Sequence, residues 1–86
     1  MKNNLSVGRD YLLSEVSVGI DVEVVDLKTQ NQLLKRRLLE MGITKGVCLT
    51  IKRIAPLGSP VSFMVRGYEL GLRKDELESI IVRLKR

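Results

Sequence analysis

The fold is decided by the stretch Arg36-Arg37-Leu38-Leu39-Glu40-Met41-Gly42, which closes the one clear helix of the sequence. Thr29 followed by Gln32 fits a capping box, in which each side chain accepts a hydrogen bond from a backbone N–H at the helix start. Gly42 supplies the left-handed backbone conformation that commonly ends a helix. The sequence therefore predicts a helix from about Gln30 to Met41.

One face of this helix is apolar. At about 100° per residue, Leu34, Leu38 and Met41 fall within an arc of about 60° and are expected to face the core. Arg37 lies at the edge of that arc, where its aliphatic stem is expected to pack along the core. Leu39 lies roughly 140° from Leu34, on the solvent side of the helix. Core packing alone therefore does not explain Leu39.

Short strands are expected on both sides of the helix. Before it, Ile20, Val22 and Val24 alternate with acidic residues, which is typical of a half-buried strand running from Ile20 to Leu27. Val25 and Leu27 break the alternation, which indicates a bulge or a strand that is buried on both sides near its end. After the helix, alternation predicts inward-facing residues in four further strands: Val47, Leu49 and Ile51; Val61, Phe63 and Val65; Tyr68, Leu70 and Leu72; Ile80, Val82 and Leu84.

The second informative stretch is the turn Ala55-Pro56-Leu57-Gly58-Ser59-Pro60. Its first proline suits a type I turn, and Pro60, which has no N–H to donate, fits the first position of a strand. Arg66-Gly67 is expected to make a tight reversal, and Asp75 to Ser79 a single helical turn. The pattern predicts a mainly β fold: a small barrel of about five strands, with one α-helix in an early connection and a short helical turn before the last strand.

Length and composition suit one small globular domain. The chain has 86 residues, of which 44% are hydrophobic and 29% charged. Residues 1–10 are polar and unpatterned and are expected to form a flexible leader, with the domain at residues 11–86. The formal charge of +5 favours acidic partners, which nucleic acid, an anionic membrane surface and an acidic protein patch satisfy equally. A cytoplasmic protein is expected, because no apolar run approaches the ~20 residues of a membrane span.

The sequence lacks the residues that several kinds of catalytic and metal-binding site require. The chain has no histidine, seven scattered glycines without a phosphate-loop pattern, and one cysteine, Cys48. We expect Cys48 to be a buried or half-buried strand residue. Glu76 and Glu78 lie in a short charged turn without a sign of burial, which does not favour acid/base catalysis. We therefore expect no enzyme activity, no catalytic residue, no metal site and no cofactor.

Taken together, the two stretches resemble the FeoA family, the small cytoplasmic component of bacterial ferrous iron transport. The resemblance rests on the order and spacing of Arg36 to Ile43, Gly46, Ala55 to Pro60, Val65-Arg66-Gly67-Tyr68 and Leu70-Gly71-Leu72-Arg73. It implies an SH3-like barrel and an accessory, regulatory role beside the membrane permease FeoB, which carries a cytoplasmic GTP-binding domain. The protein would then be bacterial and cytoplasmic, recruited to the inner face of the membrane without inserting into it.

The exposed face of the helix and the proline turn are the candidate partner-binding surface, because core packing does not explain their residues. These residues are Arg36, Leu39, Glu40, Pro56 and Leu57. An arginine and exposed leucines suit a protein interface. The alternative is structural: Leu39 would cover the end of the barrel and Leu57 would fold over the sheet. A proline-rich ligand is not expected, because grooves for such peptides are lined with aromatic residues and this chain has few.

Two other functions remain open at the level of sequence. A nucleic-acid-binding module would use Lys52, Arg66 and Arg73 from outward strand positions, but exposed aromatics for base stacking are few, so nucleic acid is not the expected partner. A self-associating module is the other alternative, and weak self-association is compatible with the main prediction.

Overall fold

Residues 5–85 are described by a computed structural model of the chain. Six strands and two helices follow one another along it: β1 (Asp10–Leu12), β2 (Asp21–Leu27), α1 (Gln32–Glu40), β3 (Cys48–Ile54), β4 (Val61–Val65), β5 (Tyr68–Leu72), α2 (Lys74–Leu77) and β6 (Ile80–Leu84). A short 3₁₀ helix, Leu13–Glu15, follows β1. No helix among the described residues combines the length and the apolar character needed to cross a membrane.

The strands form one antiparallel sheet in the order β1-β6-β2-β3-β4-β5. The expected mainly β fold, with a helix in an early connection and a helical turn before the last strand, is confirmed. The strand count is six rather than five, and the sheet is bent but not closed, because β1 and β5 are its two edges. The extra strand is β1, where Asp10 pairs with Arg83 in register and through an ion pair of 2.8 Å.

The first strand begins at the last residue of the predicted leader. Residues 1–4 lie outside the described residues. Asp10, expected in the leader, is the first residue of β1. The backbone N–H of Ser6 donates to the Tyr11 hydroxyl at 2.7 Å, so the segment before β1 is tied to that strand.

Alternation along the strands builds the core, as predicted. Val61, Phe63 and Val65 are buried along β4, and the predicted bulge in β2 lies between Val24 and Asp26. The remaining core side chains come from every other strand except β1 and from the connections: Leu13, Val16, Val22, Val24, Leu27, Leu38, Ile43, Leu49, Ile51, Leu72, Leu77, Ile80 and Val82. Buried polar or charged side chains are absent from the described part of the chain.

Two strand residues are more exposed than the sequence pattern indicates. Tyr68 is 52% exposed, although alternation predicts an inward position. It directly follows the Arg66-Gly67 reversal, where the positive φ angles of 50° and 88° confirm the tight turn, so it lies at the end of the sheet. Cys48 is exposed rather than buried or half-buried, because it opens β3 with its side chain on the outer face.

The helix α1 begins two residues later than predicted. Asn31, not Thr29, is the N-cap, and its side-chain oxygen accepts from the N–H of Leu34 at 3.1 Å. Thr29 accepts from the N–H of Asn31 instead, at 3.1 Å, so the predicted N-cap is wrong by two residues. The helix ends as expected, with Gly42 at a φ of +92°.

The predicted apolar face of α1 is confirmed, since Leu38 is buried and Leu34 and Met41 pack against the core. The turn after β3 also forms: the N–H of Gly58 donates to the carbonyl of Ala55 at 2.7 Å. Pro60 lies one residue before β4 rather than in it. The helical turn lies at Lys74–Leu77, so it begins one residue earlier and ends two residues earlier than predicted, with Leu77 in the core.

Candidate partner-binding surface

The helical part of the expected surface is exposed. Arg36, Leu39 and Glu40 are spaced by three and four residues, which places them on one side of α1. Leu39 is 44% exposed. An apolar side chain therefore reaches solvent between two charged neighbours, in agreement with the sequence pattern.

The turn part of the expected surface is still more open. Leu57 is 97% exposed, at the tip of the connection between β3 and β4, and Pro56 beside it is also exposed. The alternative in which Leu57 folds over the sheet is therefore wrong. A leucine in this position buries no apolar surface in the free protein, so contact with a partner would remove about 100–150 Å² of it from water and contribute about 2 to 3 kcal/mol.

The structure does not combine these two parts into one continuous patch. Met41 of α1 and Pro60 behind the turn line the same groove, so this flank of the helix faces the turn. Leu39 lies about 160° around the helix axis from Met41. Leu39 therefore projects from the opposite flank of α1, and the expected surface consists of two separate areas.

A small apolar groove lies directly beside the turn. It has a volume of about 130 Å³ and is lined by Leu13, Ser14, Val16, Ile51, Ile54, Gly58, Val61, Lys74 and Leu77. Ile54 at its border is exposed, and Leu57 adjoins Gly58 in sequence. The turn area thus offers a projecting leucine next to a shallow apolar depression.

A larger groove separates α1 from β5 and α2, and we call it the α1–β5 groove. Its volume is about 370 Å³, and it is lined by Arg37, Met41, Pro60, Gly71, Leu72, Arg73 and Glu76. An adjoining groove of about 360 Å³ includes Leu33 and Asp75 and shares Arg37, Arg73 and Glu76 with it. These three shared charged residues therefore form the boundary between the two depressions.

An ion pair connects the walls of the α1–β5 groove. The Arg37 guanidinium contacts Glu76 Oε2 at 2.5 Å, and Glu76 Oε1 accepts the backbone N–H of Arg73 at 2.9 Å. The Glu76 side chain is only 14% exposed, so the expectation that this carboxylate lacks burial is wrong. Burial raises its pKa, but the hydrogen bonds from Arg73 and Arg37 and the charges of both arginines outweigh that effect. The pKa of Glu76 therefore lies below its ordinary value.

The arginines of the groove are not equivalent. Arg37 is engaged by Glu76, whereas the guanidinium of Arg73 has no hydrogen-bond partner or ion pair among residues 5–85. Two guanidinium groups against one carboxylate leave the groove with an excess positive charge. A carboxylate or phosphate group would find a suitable counter-charge there.

A third arginine closes the end of α1. Arg66 Nε donates to the carbonyl of Gly42 at 3.4 Å, and its Nη2 to Thr44 Oγ1 at 3.3 Å. A cation at a helix C-terminus interacts favourably with the helix dipole. Arg66, one of the three residues considered for nucleic-acid binding, therefore has a structural partner.

Comparison with known proteins identifies the family. The FeoA domain model matches residues 11–84. The chain belongs to the FeoA domain family. It is 32% identical over 72 residues to the Fe(2+) transport protein A/Fe(2+) transporter FeoB fusion protein of Porphyromonas gingivalis, an alignment that spans 84% of this chain and 8% of the fusion protein. The chain thus spans less than a tenth of that relative.

Two solved structures define the shared architecture. The FeoA-like protein from Clostridium acetobutylicum has a TM-score of 0.84 and 31% identity, covering 93% of this chain and 92% of its own. FeoA of Stenotrophomonas maltophilia, described as a prokaryotic SH3 domain protein and complexed with zinc, has a TM-score of 0.72 and 27% identity, covering 81% and 86%. The expected SH3-like fold is therefore confirmed.

The described residues contain no cluster of three or more Cys, Asp or Glu side chains that could hold a metal ion. The zinc in the S. maltophilia structure is a property of that protein. Our expectation of no metal site and no cofactor in this chain stays a prediction.

Proposed function

We propose that this protein is an accessory protein of ferrous iron uptake that binds the cytoplasmic region of a FeoB-type permease and regulates it. One observation carries the proposal: in the P. gingivalis relative, the segment similar to this chain belongs to one polypeptide with the Fe(2+) transporter FeoB. Two modules fused in one chain have a high effective concentration for each other.

The surface of the protein suits such a contact. Leu57 projects almost completely into solvent, and Leu39 is exposed beside Arg36. Exposed apolar side chains flanked by arginine are typical of protein interfaces. In this proposal the chain acts by binding, without catalysis, in the cytoplasm at the inner face of the membrane, and ferrous iron is the cargo of the permease.

Nucleic-acid binding, one of the two rival functions, has less support from the structure. Of the cations considered for nucleic-acid binding, Arg66 is engaged at the end of α1, and of the aromatic residues only Tyr68 is exposed, since Phe63 is buried and Tyr11 half-buried. Base stacking therefore has one exposed platform in the described chain. Self-association would be measured by sedimentation over a concentration series.

Affinity capture tests the proposal directly. The tagged full chain is incubated with the detergent-solubilised membrane fraction of its own organism and with the purified cytoplasmic region of the permease. Recovery of the permease from both supports the proposal. Failure to recover it from either, with a correctly folded bait, contradicts it. A Phe63→Asp variant, which places a charge in the core, is the unfolded control.

A further inference from the structure

The edge strand β5 carries unpaired backbone groups. In a hairpin with a two-residue turn, the residues that flank the turn form a hydrogen-bonded pair, and here these are Val65 and Tyr68. Bonding to β4 then continues at Leu70 and Leu72. Glu69 and Gly71 consequently direct their N–H and C=O groups away from β4, toward the open side of the sheet.

No other part of the described chain satisfies these groups. Among residues 5–85, the hydrogen bonds of turns, loops and caps do not involve the backbone of Glu69 or Gly71. The opposite edge of the sheet is different. Strand β1 has three residues, and its last N–H, that of Leu12, is bonded to Glu15 Oε1 at 2.9 Å. Proteins commonly protect sheet edges in this way, so the open edge of β5 is the exception.

The helix α1 runs beside this open edge. At the start of β5, Tyr68 and Arg66 lie next to Gly42, which ends the helix. At the end of β5, Gly71 and Leu72 share the α1–β5 groove with Arg37, about one and a half turns earlier in α1. An edge strand and a helix thus form the two walls of a groove. This arrangement is the one in which folded domains bind extended peptides by adding a strand to a sheet.

Gly71 suits such an approach. It lacks a side chain on the edge strand, and within residues 5–85 the only heavy atom that a Cβ there would meet within 4 Å is the carbonyl oxygen of Val61, at 3.9 Å. Glycine in a strand often marks a place where another backbone comes close.

We propose that an extended, acidic segment of the permease's cytoplasmic region adds to the open edge of β5 and lies in the α1–β5 groove. The segment pairs with the backbone of Glu69 and Gly71, and one of its carboxylates binds the guanidinium of Arg73. This inference rests on the proposed function and adds to it a contact separate from the exposed Leu39 and Leu57.

The charges around the groove select an acidic occupant. Glu76 is neutralised by Arg37, and Glu69 is paired with Arg53 at 3.3 Å, so the acidic side chains at the edge already have partners. Arg73 is the cation left over. A second copy of this chain, with its formal charge of +5, is the less complementary occupant.

Two variants of one residue separate backbone pairing from side-chain effects. Gly71→Pro removes the outward N–H and leaves the bonding to β4 intact, because that N–H does not point to β4. Gly71→Ala keeps the N–H and adds only a Cβ on the exposed face, which makes it the matched control. Binding to the purified cytoplasmic region is measured by calorimetry. We expect about tenfold weaker binding for Gly71→Pro, the factor for one lost backbone hydrogen bond, and a clearly smaller loss for Gly71→Ala, which keeps that hydrogen bond.

Amide hydrogen exchange reads the pairing directly in the wild-type chain. We expect the amides of Glu69 and Gly71 to exchange rapidly in the free protein and at least tenfold more slowly in the complex. If the complex forms and these amides stay fast, or if Gly71→Pro binds as well as wild type, the edge is not the contact, although the proposed function stands. If wild type does not bind the permease region, the proposed function itself fails. Protection that appears on raising the concentration of this chain alone identifies a second copy as the occupant and overturns the proposal.

Discussion

The guanidinium of Arg37 on α1 and the carboxylate of Glu76 on α2 meet at 2.5 Å, across 39 residues of sequence. Glu76 also accepts the backbone N–H of Arg73 at the start of α2. One carboxylate therefore holds the start of a four-residue helix and connects it to the longer helix. Glu76→Gln removes the charge from both contacts, and we expect a loss of about 1 kcal/mol in the free energy of unfolding, measured with urea at pH 7. Glu78→Gln, two residues further on and exposed, is the control and should change the stability little.

The same carboxylate makes a pH-dependent contribution. The folded pKa of Glu76 lies below the ordinary value of 4.5, so the unfolded chain binds the proton more tightly than the folded chain. The contribution of Glu76 to stability is therefore complete above about pH 4.5 and is lost as the pH falls through the folded pKa. We expect the stability difference between wild type and Glu76→Gln to shrink between pH 6 and pH 3. A difference that is constant over this range contradicts the assignment.

The end of α1 is sensitive to a single methyl group. Gly42 has a φ of +92°, and a Cβ there would lie 3.3 Å from Cδ of Arg66, whose guanidinium reaches the Gly42 carbonyl. We expect Gly42→Ala to cost about 1 to 2 kcal/mol in unfolding free energy, from the left-handed backbone and the displacement of Arg66. Gly46 has a similar φ of +88°, and no atom of the described residues lies within 4 Å of the Cβ that Gly46→Ala would add. Gly46→Ala therefore measures the strain of the left-handed backbone alone, and it should lower the free energy of unfolding by less than Gly42→Ala does. Equal losses for the two variants would contradict the role of the Arg66 contact.

Local alternation made most of the fold predictable. Val61, Phe63 and Val65 face the core because successive strand residues point to opposite sides, and the bulge after Val24 was visible as a break in that pattern. Strand β1 was not visible, because three residues show no period and Asp10 finds its partner, Arg83, 73 positions away. The N-cap was misplaced because Thr29 and Asn31 are both suitable capping residues.

The candidate surface was predictable only as separate residues. Exposure of Leu39 and Leu57 followed from the helical period and from the turn. Their distribution over two areas depends on which flank of α1 faces Pro60, which is a tertiary property. The contact between Arg37 and Glu76 is likewise a tertiary property that the sequence pattern does not reveal. The hydrogen bond from the Arg73 N–H to Glu76 is local, because a glutamate three residues after the N-cap commonly accepts that N–H.

The two exposed leucines can be tested separately because they lie in different areas. We expect the aspartate variant of the leucine that lies in the interface, Leu57→Asp or Leu39→Asp, to weaken capture of the permease's cytoplasmic region at least tenfold. The far-UV spectrum and the urea midpoint of both variants should stay unchanged. Val18→Asp, at another exposed apolar position, is the control for a general effect of added negative charge. If both leucine variants bind normally, neither area is part of the interface and the partner-binding assignment of Arg36, Leu39, Glu40, Pro56 and Leu57 is wrong.

Removing the unpaired cation of the α1–β5 groove should change binding without changing the fold. Arg73 donates its backbone N–H to Glu76, which any non-proline residue can also do, so Arg73→Gln is expected to keep α2 intact. A carboxylate from the permease would lose its charged hydrogen bond, which corresponds to about 1.5 to 3 kcal/mol and hence a loss of affinity of roughly ten- to a hundredfold at low salt. Lys85→Gln removes the same charge at an exposed position just after β6 and should have a much smaller effect. Because the contact is electrostatic, the gap between the two variants should narrow as the salt concentration rises from about 0.05 to 0.5 M. Equal losses for both variants would show that only the net charge of the protein matters, and would remove Arg73 from the interface.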